Sequence, residues 1–264
     1  MRTTIRAVAV AAALTLSAVA VPGVHAAAKP KPWHVTIHAS TTSMTLGHKV
    51  WLTGKVGKAA AGKLVVLQEQ FASDKPWRTQ RNARVRADGT YTTWDKPTQN
   101  HRRLYRVVMP RTRHHRKGIS ESVIVDVYKW TPLTSLRSVN ESDLDPVPSV
   151  SIDAVDFPSS LEAFTFHPDG PATQSIEYNL DHKCIRFRGT FGLSDDSETG
   201  GEASVQAEAD GAPWFSHTYS LGQSDHNVFD FETPPLKIHF ETASLVDGVD
   251  GLGAIGTPEV LCEQ

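Results

Sequence analysis

Cys184-Ile185-Arg186-Phe187-Arg188-Gly189-Thr190-Phe191 decides the fold class. Ile185, Phe187 and Phe191 fall at every second position with Arg186, Arg188 and Thr190 between them, the period-2 pattern of a strand with one buried face. Outward from it the same period recurs in Ser175 to Leu180, Ala203 to Glu208, Trp214 to Tyr219, Asn227 to Phe231 and Leu236 to Thr242. Asp210-Gly211 supplies a hairpin turn. Few segments carry a helical period.

The first half repeats the pattern in Trp33 to Ala39, Val50 to Val56, Lys63 to Phe71, Pro76 to Val85, Thr90 to Trp94, Arg103 to Met109 and Ser122 to Tyr128. Asp88-Gly89 sets a tight turn between two of these runs. Seven short strands at roughly ten-residue spacing predict an immunoglobulin-type sandwich. The expected fold class is therefore all-β, with two β-sandwiches, the second of jelly-roll type.

Charge divides the chain at the same place. From Ala27 to Lys129 Lys and Arg exceed Asp and Glu by about 14, and from Trp130 onward the acids exceed the bases by about 18, although the net charge is only −2. The expected organisation is a leader over 1–26, a basic sandwich over 27–129 and an acidic sandwich over 130–264, with a hinge at Tyr128 to Thr134.

The leader carries Arg2 and Arg6, then an Ala-rich apolar run from Ala7 to Val21, then Pro22-Gly23 and Val24-His25-Ala26. This is the layout of a cleaved secretory signal, and the run is short for a bilayer. The expected location is extracellular or non-covalently attached to the envelope, with no transmembrane segment. In that compartment the two cysteines, Cys184 and Cys262, read as a disulfide. Two buried thiols are the alternative.

Two resemblances follow from quotable residues. Gly62-Lys63-Leu64-Val65-Val66-Leu67-Gln68, Trp77, Ala87-Asp88-Gly89-Thr90-Tyr91 and Tyr105-Arg106-Val107 look like the Ig-like modules of exported bacterial surface proteins. Ile176-Glu177-Tyr178-Asn179-Leu180, Cys184-Ile185-Arg186-Phe187, Gly192-Leu193-Ser194-Asp195-Asp196, Ala203 to Gly211 and Leu236 to Phe240 resemble, over roughly 120 residues, the NPCBM family of non-catalytic modules on secreted glycosidases. That resemblance implies a carbohydrate-binding module. Pro171 to Gln174 stands where the family carries a His, and Asp247 to Ala254 has no aromatic where the family places a Trp.

Sugar recognition needs an aromatic platform with polar side chains around it. The carbohydrate-binding candidates are Trp214, His217, Tyr219, Asp225 and Asn227. Strict alternation places Phe215, His217 and Tyr219 on one face and Trp214 on the other. Arg111, Arg113, Arg116 and Lys117 form the densest basic run and the anion-binding candidate, expected to meet an anionic cell-wall polymer rather than nucleic acid. Asp195 and Asp196 are the metal candidates, for a structural calcium, and no other cofactor is expected.

Catalysis is not expected. The sequence has no Gly-x-Ser-x-Gly elbow, no His-Glu-x-x-His and no phosphate-binding loop. Glu202 with Asp210 and Glu162 with Asp169 are the carboxylate pairs a glycosidase reading would use. The function expected is a secreted, non-catalytic protein that recognises a glycan through its C-terminal module. The alternative is a structural or protein-interaction protein that keeps the module's fold.

Overall fold

The computed structural model describes residues 29–71, 75–164 and 173–264. The leader and Asp169 lie outside the described residues. Among those described there is no α-helix, and the chain is all-β.

The first nine strands are β1 (His38–Ala39), β2 (Ser43–Thr45), β3 (Val50–Lys55), β4 (Leu64–Phe71), β5 (Arg78–Arg84), β6 (Thr90–Asp95), β7 (Arg103–Met109), β8 (Gly118–Ile119) and β9 (Val123–Pro132). Strands β1-β3-β6 form one sheet, and β5-β4-β7-β9 form the facing layer, with β2 parallel to β9 and β8 on β7. Val50, Leu52 and Tyr91 from one sheet pack with Val65, Leu67, Tyr105, Val107 and Val125 from the other. The Asp88-Gly89 turn forms as its chemistry predicts: the Asp88 carboxylate accepts the Thr90 N–H at 2.9 Å, and Gly89 takes a positive φ of 85°.

Trp33, Val35 and Ile37 are buried at alternate positions, as their period predicts. Only His38–Ala39 of that run enters a ladder, with Thr36 N–H donating to the Lys55 carbonyl just before it.

The remaining strands are β10 (Ser138–Ser142), β11 (Leu144–Ile152), β12 (Val155–Ala163), β13 (Thr173–Asn179), β14 (Cys184–Leu193), β15 (Glu202–Ala209), β16 (Ala212–Ser220), β17 (Ser224–Asp230), β18 (Lys237–Ser244) and β19 (Gly253–Cys262). One layer runs β10-β13-β18-β15-β16 and the other β11-β12-β19-β14-β17. Ile176, Tyr178, Val205, Ile238 and Phe240 meet Leu161, Phe187, Phe191, Ile255 and Val260 between them.

Tyr128 to Thr134, expected as a hinge, is instead the end of β9 followed by a 3-10 turn at Leu133–Ser135. Lys129 to Pro132 pair with Cys262 to Glu259 of β19, so layers of the two sandwiches run on as one sheet. The Arg188 guanidinium lies 4.1 Å from the Trp130 ring centre, and its Nε donates to Glu259 at 2.7 Å. The Asn100 amide donates to the Cys262 carbonyl at 3.2 Å, and the Gln264 N–H donates to the Asn100 carbonyl at 2.8 Å. A backbone ladder therefore fixes the passage between the cores.

The disulfide Cys184–Cys262 is formed, and the two residues are directly opposed on β14 and β19. It closes the end of the same strand that carries the junction.

Candidate functional site at the β16–β17 edge

Strands β16 and β17 are the last strands of their respective sheets, and the Leu221-Gly222-Gln223 turn passes between them. Tyr219, Asp225 and His217 come together at this edge, with Asn227 two residues after Asp225 on β17. The Tyr219 hydroxyl donates to Asp225 Oδ2 at 3.1 Å. The His217 ring centre is 4.8 Å from that of Tyr219, inclined by 58°. The Asn227 amide donates to the Asp225 carbonyl at 3.4 Å. His217 and Asp225 are exposed and Asn227 is half-buried. Burial, and then the bond to Asp225, push the Tyr219 phenol well above its ordinary range, so it stays a hydroxyl donor.

Trp214 does not join them. Its ring stacks on Phe229 at 4.6 Å and 18°, and lies 5.2 Å from Phe187 and 6.0 Å from Phe191. It is a packing residue rather than a free platform. Strict alternation misplaces it because the β15–β16 register slips between Ala207 and Glu208: Ala207 opposes Phe215 while Glu208 opposes Pro213. Trp214 is the extra residue of a bulge, so it and Phe215 both reach Phe191, Phe215 at 4.2 Å. A bulge leaves no mark in the polar–apolar period, and no signal in this stretch could have revealed it.

Asp195 is engaged locally. Its Oδ2 accepts the Ser151 hydroxyl at 2.7 Å and the Ala154 N–H at 2.9 Å, closing the β11–β12 turn. Asp153 and Ala154 take positive φ there, so the carboxylate holds a turn that lacks glycine. Among the described residues no group of three or more His, Cys, Asp or Glu gathers to hold a metal ion. Asp195, one of the two metal candidates, thus has an oxygen engaged in holding the turn.

Arg111, Arg113, Arg116 and Lys117 lie exposed on the loop between β7 and β8. Arg116 Nε donates to the Pro30 carbonyl at 2.9 Å, and His115 stacks on Trp33 at 3.8 Å. The loop is thus clasped to the start of the described chain, with Arg111, Arg113 and Lys117 facing solvent.

Glu202 and Asp210 flank the length of β15, about 26 Å apart at strand rise, too far to attack one glycosidic bond. Glu162 accepts the Ser194 hydroxyl at 2.5 Å, and burial raises its carboxyl above the usual range.

A cleft of about 540 Å³ opens where the sandwiches join, lined by Phe71, Arg78, His101, Arg102 and Glu263 among others. The residue pattern gave no sign of it, because its walls come from both halves. Arg102 is already paired with Asp126 at 2.7 Å.

No family model matches the chain, and no curated protein matches it in sequence. Solved structures resemble it distantly. The secreted serine protease VesC from Vibrio cholerae aligns over 87% of this chain and 48% of its own, with 11% identity and a TM-score of 0.32. The module TmCBM61, solved with β-1,4-galactotriose, aligns over 40% of this chain and 70% of its own, with 11% identity and a TM-score of 0.24. An allantoicase aligns over 84% and 78%, with 10% identity and a TM-score of 0.26. The chain spans about half the length of the VesC structure.

Proposed function

We propose that the protein is an exported, non-catalytic binding protein that recognises a glycan through its second sandwich. The observation that carries this reading is the β16–β17 edge. An exposed imidazole, a phenol held protonated, a carboxylate and a carboxamide stand within one turn of each other. Hydroxyl groups of a sugar need such a mixture of donors and acceptors, and the exposed imidazole face leaves an apolar patch for a pyranose ring. The motif resemblance to NPCBM modules agrees with it. The disulfide supports an oxidising compartment, and with it the secretory reading of the leader.

A second reading has its own observation. Trp214 turns inward onto Phe229, so the large platform that a lectin site would use is spent on packing. This favours a structural or protein-interaction role that keeps the fold alone.

Calorimetric titration separates the two. Neutral oligosaccharides are titrated into the protein, its Asp225→Ala variant and its His217→Ala variant. Saturable heat that disappears in both variants supports the glycan reading. Silence across the panel transfers support to the second reading.

A further inference from the structure

The first sandwich presents the kind of free aromatic surface that Trp214 does not. Trp51 of β3 is 46% exposed, while Val50 and Leu52 on either side are fully buried. Alternation therefore sends Trp51 outward from the sheet. Its registered partner across β3–β6 is Trp94. Among the described residues no ring stacks on Trp51 and no cation sits over it. With Trp94 paired beside it, Trp51 gives this sheet face an aromatic patch rather than a lone exposed ring.

Cations stand beside it. The Lys49 ammonium lies 4.2 Å from the Trp94 ring centre, and the Arg81 guanidinium carbon 3.5 Å from it. Arg81 is opposed to the buried Leu67 on β4, so it leaves β5 on the core side and reaches Trp94 across the open edge of the sandwich. Neither cation forms an ion pair with a carboxylate among the described residues. Both are positioned by an aromatic ring, and their charge is left uncancelled. Thr53 opposes Thr92, and Lys55 opposes Thr90, along the same two strands. Thr53 and Thr92 thus continue the surface with hydroxyls, and Lys55 with an ammonium group, while the Thr90 hydroxyl donates to Asp88 at 2.7 Å.

We propose that this face is a second binding site, distinct from the β16–β17 edge, for an acidic polysaccharide. A pyranose ring stacks on Trp51, its carboxylate meets Lys49 and Arg81, and neighbouring hydroxyls meet Thr53 and Thr92. The surplus of about 14 positive charges in this half of the chain draws the polymer in. A single uncovered ring bordered by hydroxyls fits one sugar at a time. A nucleic acid strand would draw on a series of stacking rings.

The test uses the full mature chain and oligogalacturonate as the acidic probe, read by tryptophan fluorescence and calorimetry at low and high salt. Neutral β-1,4-galactan and single-stranded DNA of matched charge are the comparison ligands. Saturable binding of oligogalacturonate, at least tenfold weaker in Trp51→Ala and in Lys49→Glu and weakened by salt, supports the site. Thermal melts of both variants, expected to match the parent because Trp51 and Lys49 are exposed, separate lost binding from lost fold. Equal binding by Trp51→Ala, DNA binding at least as tight as oligogalacturonate, or, in the Asp225→Ala background, equal affinity for the neutral galactan overturns it. Asp225→Ala keeps the two readings apart: it removes binding at the β16–β17 edge and leaves oligogalacturonate affinity unchanged.

Discussion

The indole of Trp214 stacks on the ring of Phe229 at 4.6 Å, 18° from parallel, so one face of the largest aromatic at the β16–β17 edge is taken up by the protein itself. Its Nε1 is buried with no hydrogen-bond partner. Trp214→Ala is expected to cost about 3 kcal/mol of stability through the cavity left among Phe187, Phe191 and Phe229. Trp214→Phe is expected to cost less than about 1.5 kcal/mol, because it also removes an unsatisfied buried donor. Denaturant midpoints of the two variants check this, and a neutral Trp214→Ala would refute the packing role.

Arg103 and Glu69 form an ion pair at 2.7 Å with only 3% and 5% of their side chains exposed. Arg103 also covers Phe71, 4.3 Å from its ring centre, and donates to the Gln99 carbonyl at 3.3 Å. Arg103→Met alone is expected to cost about 3–5 kcal/mol, since it strands a buried carboxylate. Glu69→Gln in the same chain is expected to restore part of that loss. A double-mutant cycle by chemical unfolding reads the coupling.

Reduction of Cys184–Cys262 releases a loop of 78 residues in sequence separation, for which the chain-entropy model gives about 4.5 kcal/mol. The effect reaches beyond the second core, because Cys262 opposes Lys129 at the β9–β19 junction. Hydrogen exchange is expected to quicken at residues 129–132 on reduction. Protection unchanged there would show that the junction holds without the bridge.

Glu162 is raised above its ordinary 4.5 by burial, and further by the charge of Asp196, against the lowering effect of the Ser194 hydroxyl. The folded state then holds this proton more tightly than the unfolded chain. Its contribution favours folding at low pH and falls as pH rises from about 4.5 through the raised folded value. Glu162→Gln keeps an acceptor for Ser194 and removes the titration. Its stability relative to the parent is expected to increase as pH rises through that window and to level off above it. Melting curves between pH 4 and 8 measure the difference, and a constant offset would exclude this assignment.

The strands that proline and glycine interrupt were hidden from the residue pattern. β11 contains Pro146 and Pro148, β12 contains Pro158, and β19 contains Gly253, Gly256 and Pro258. Read locally, these residues break strands. In the fold they occupy defined places: a Cβ on Gly256 would sit 2.5 Å from the Phe157 ring, so only glycine lets β19 pass. The junction stayed hidden for the same reason, since β19 is the partner that turns the end of β9 from a linker into a ladder.

What the sequence determined alone is whatever a period-2 pattern, a turn dipeptide or a charge count can carry. That covers the all-β class, most strands of both sandwiches, the Asp88-Gly89 turn and the cysteine pair. These depend on neighbours a few residues apart or on chemistry that needs no geometry. Tertiary structure alone decided which rings are free. A bulge turned Trp214 inward, register set Trp51 across from Trp94, and an edge crossing brought Arg81 onto that ring. Each depends on how one strand is aligned with a distant one, and a shift of one residue moves a side chain to the opposite face.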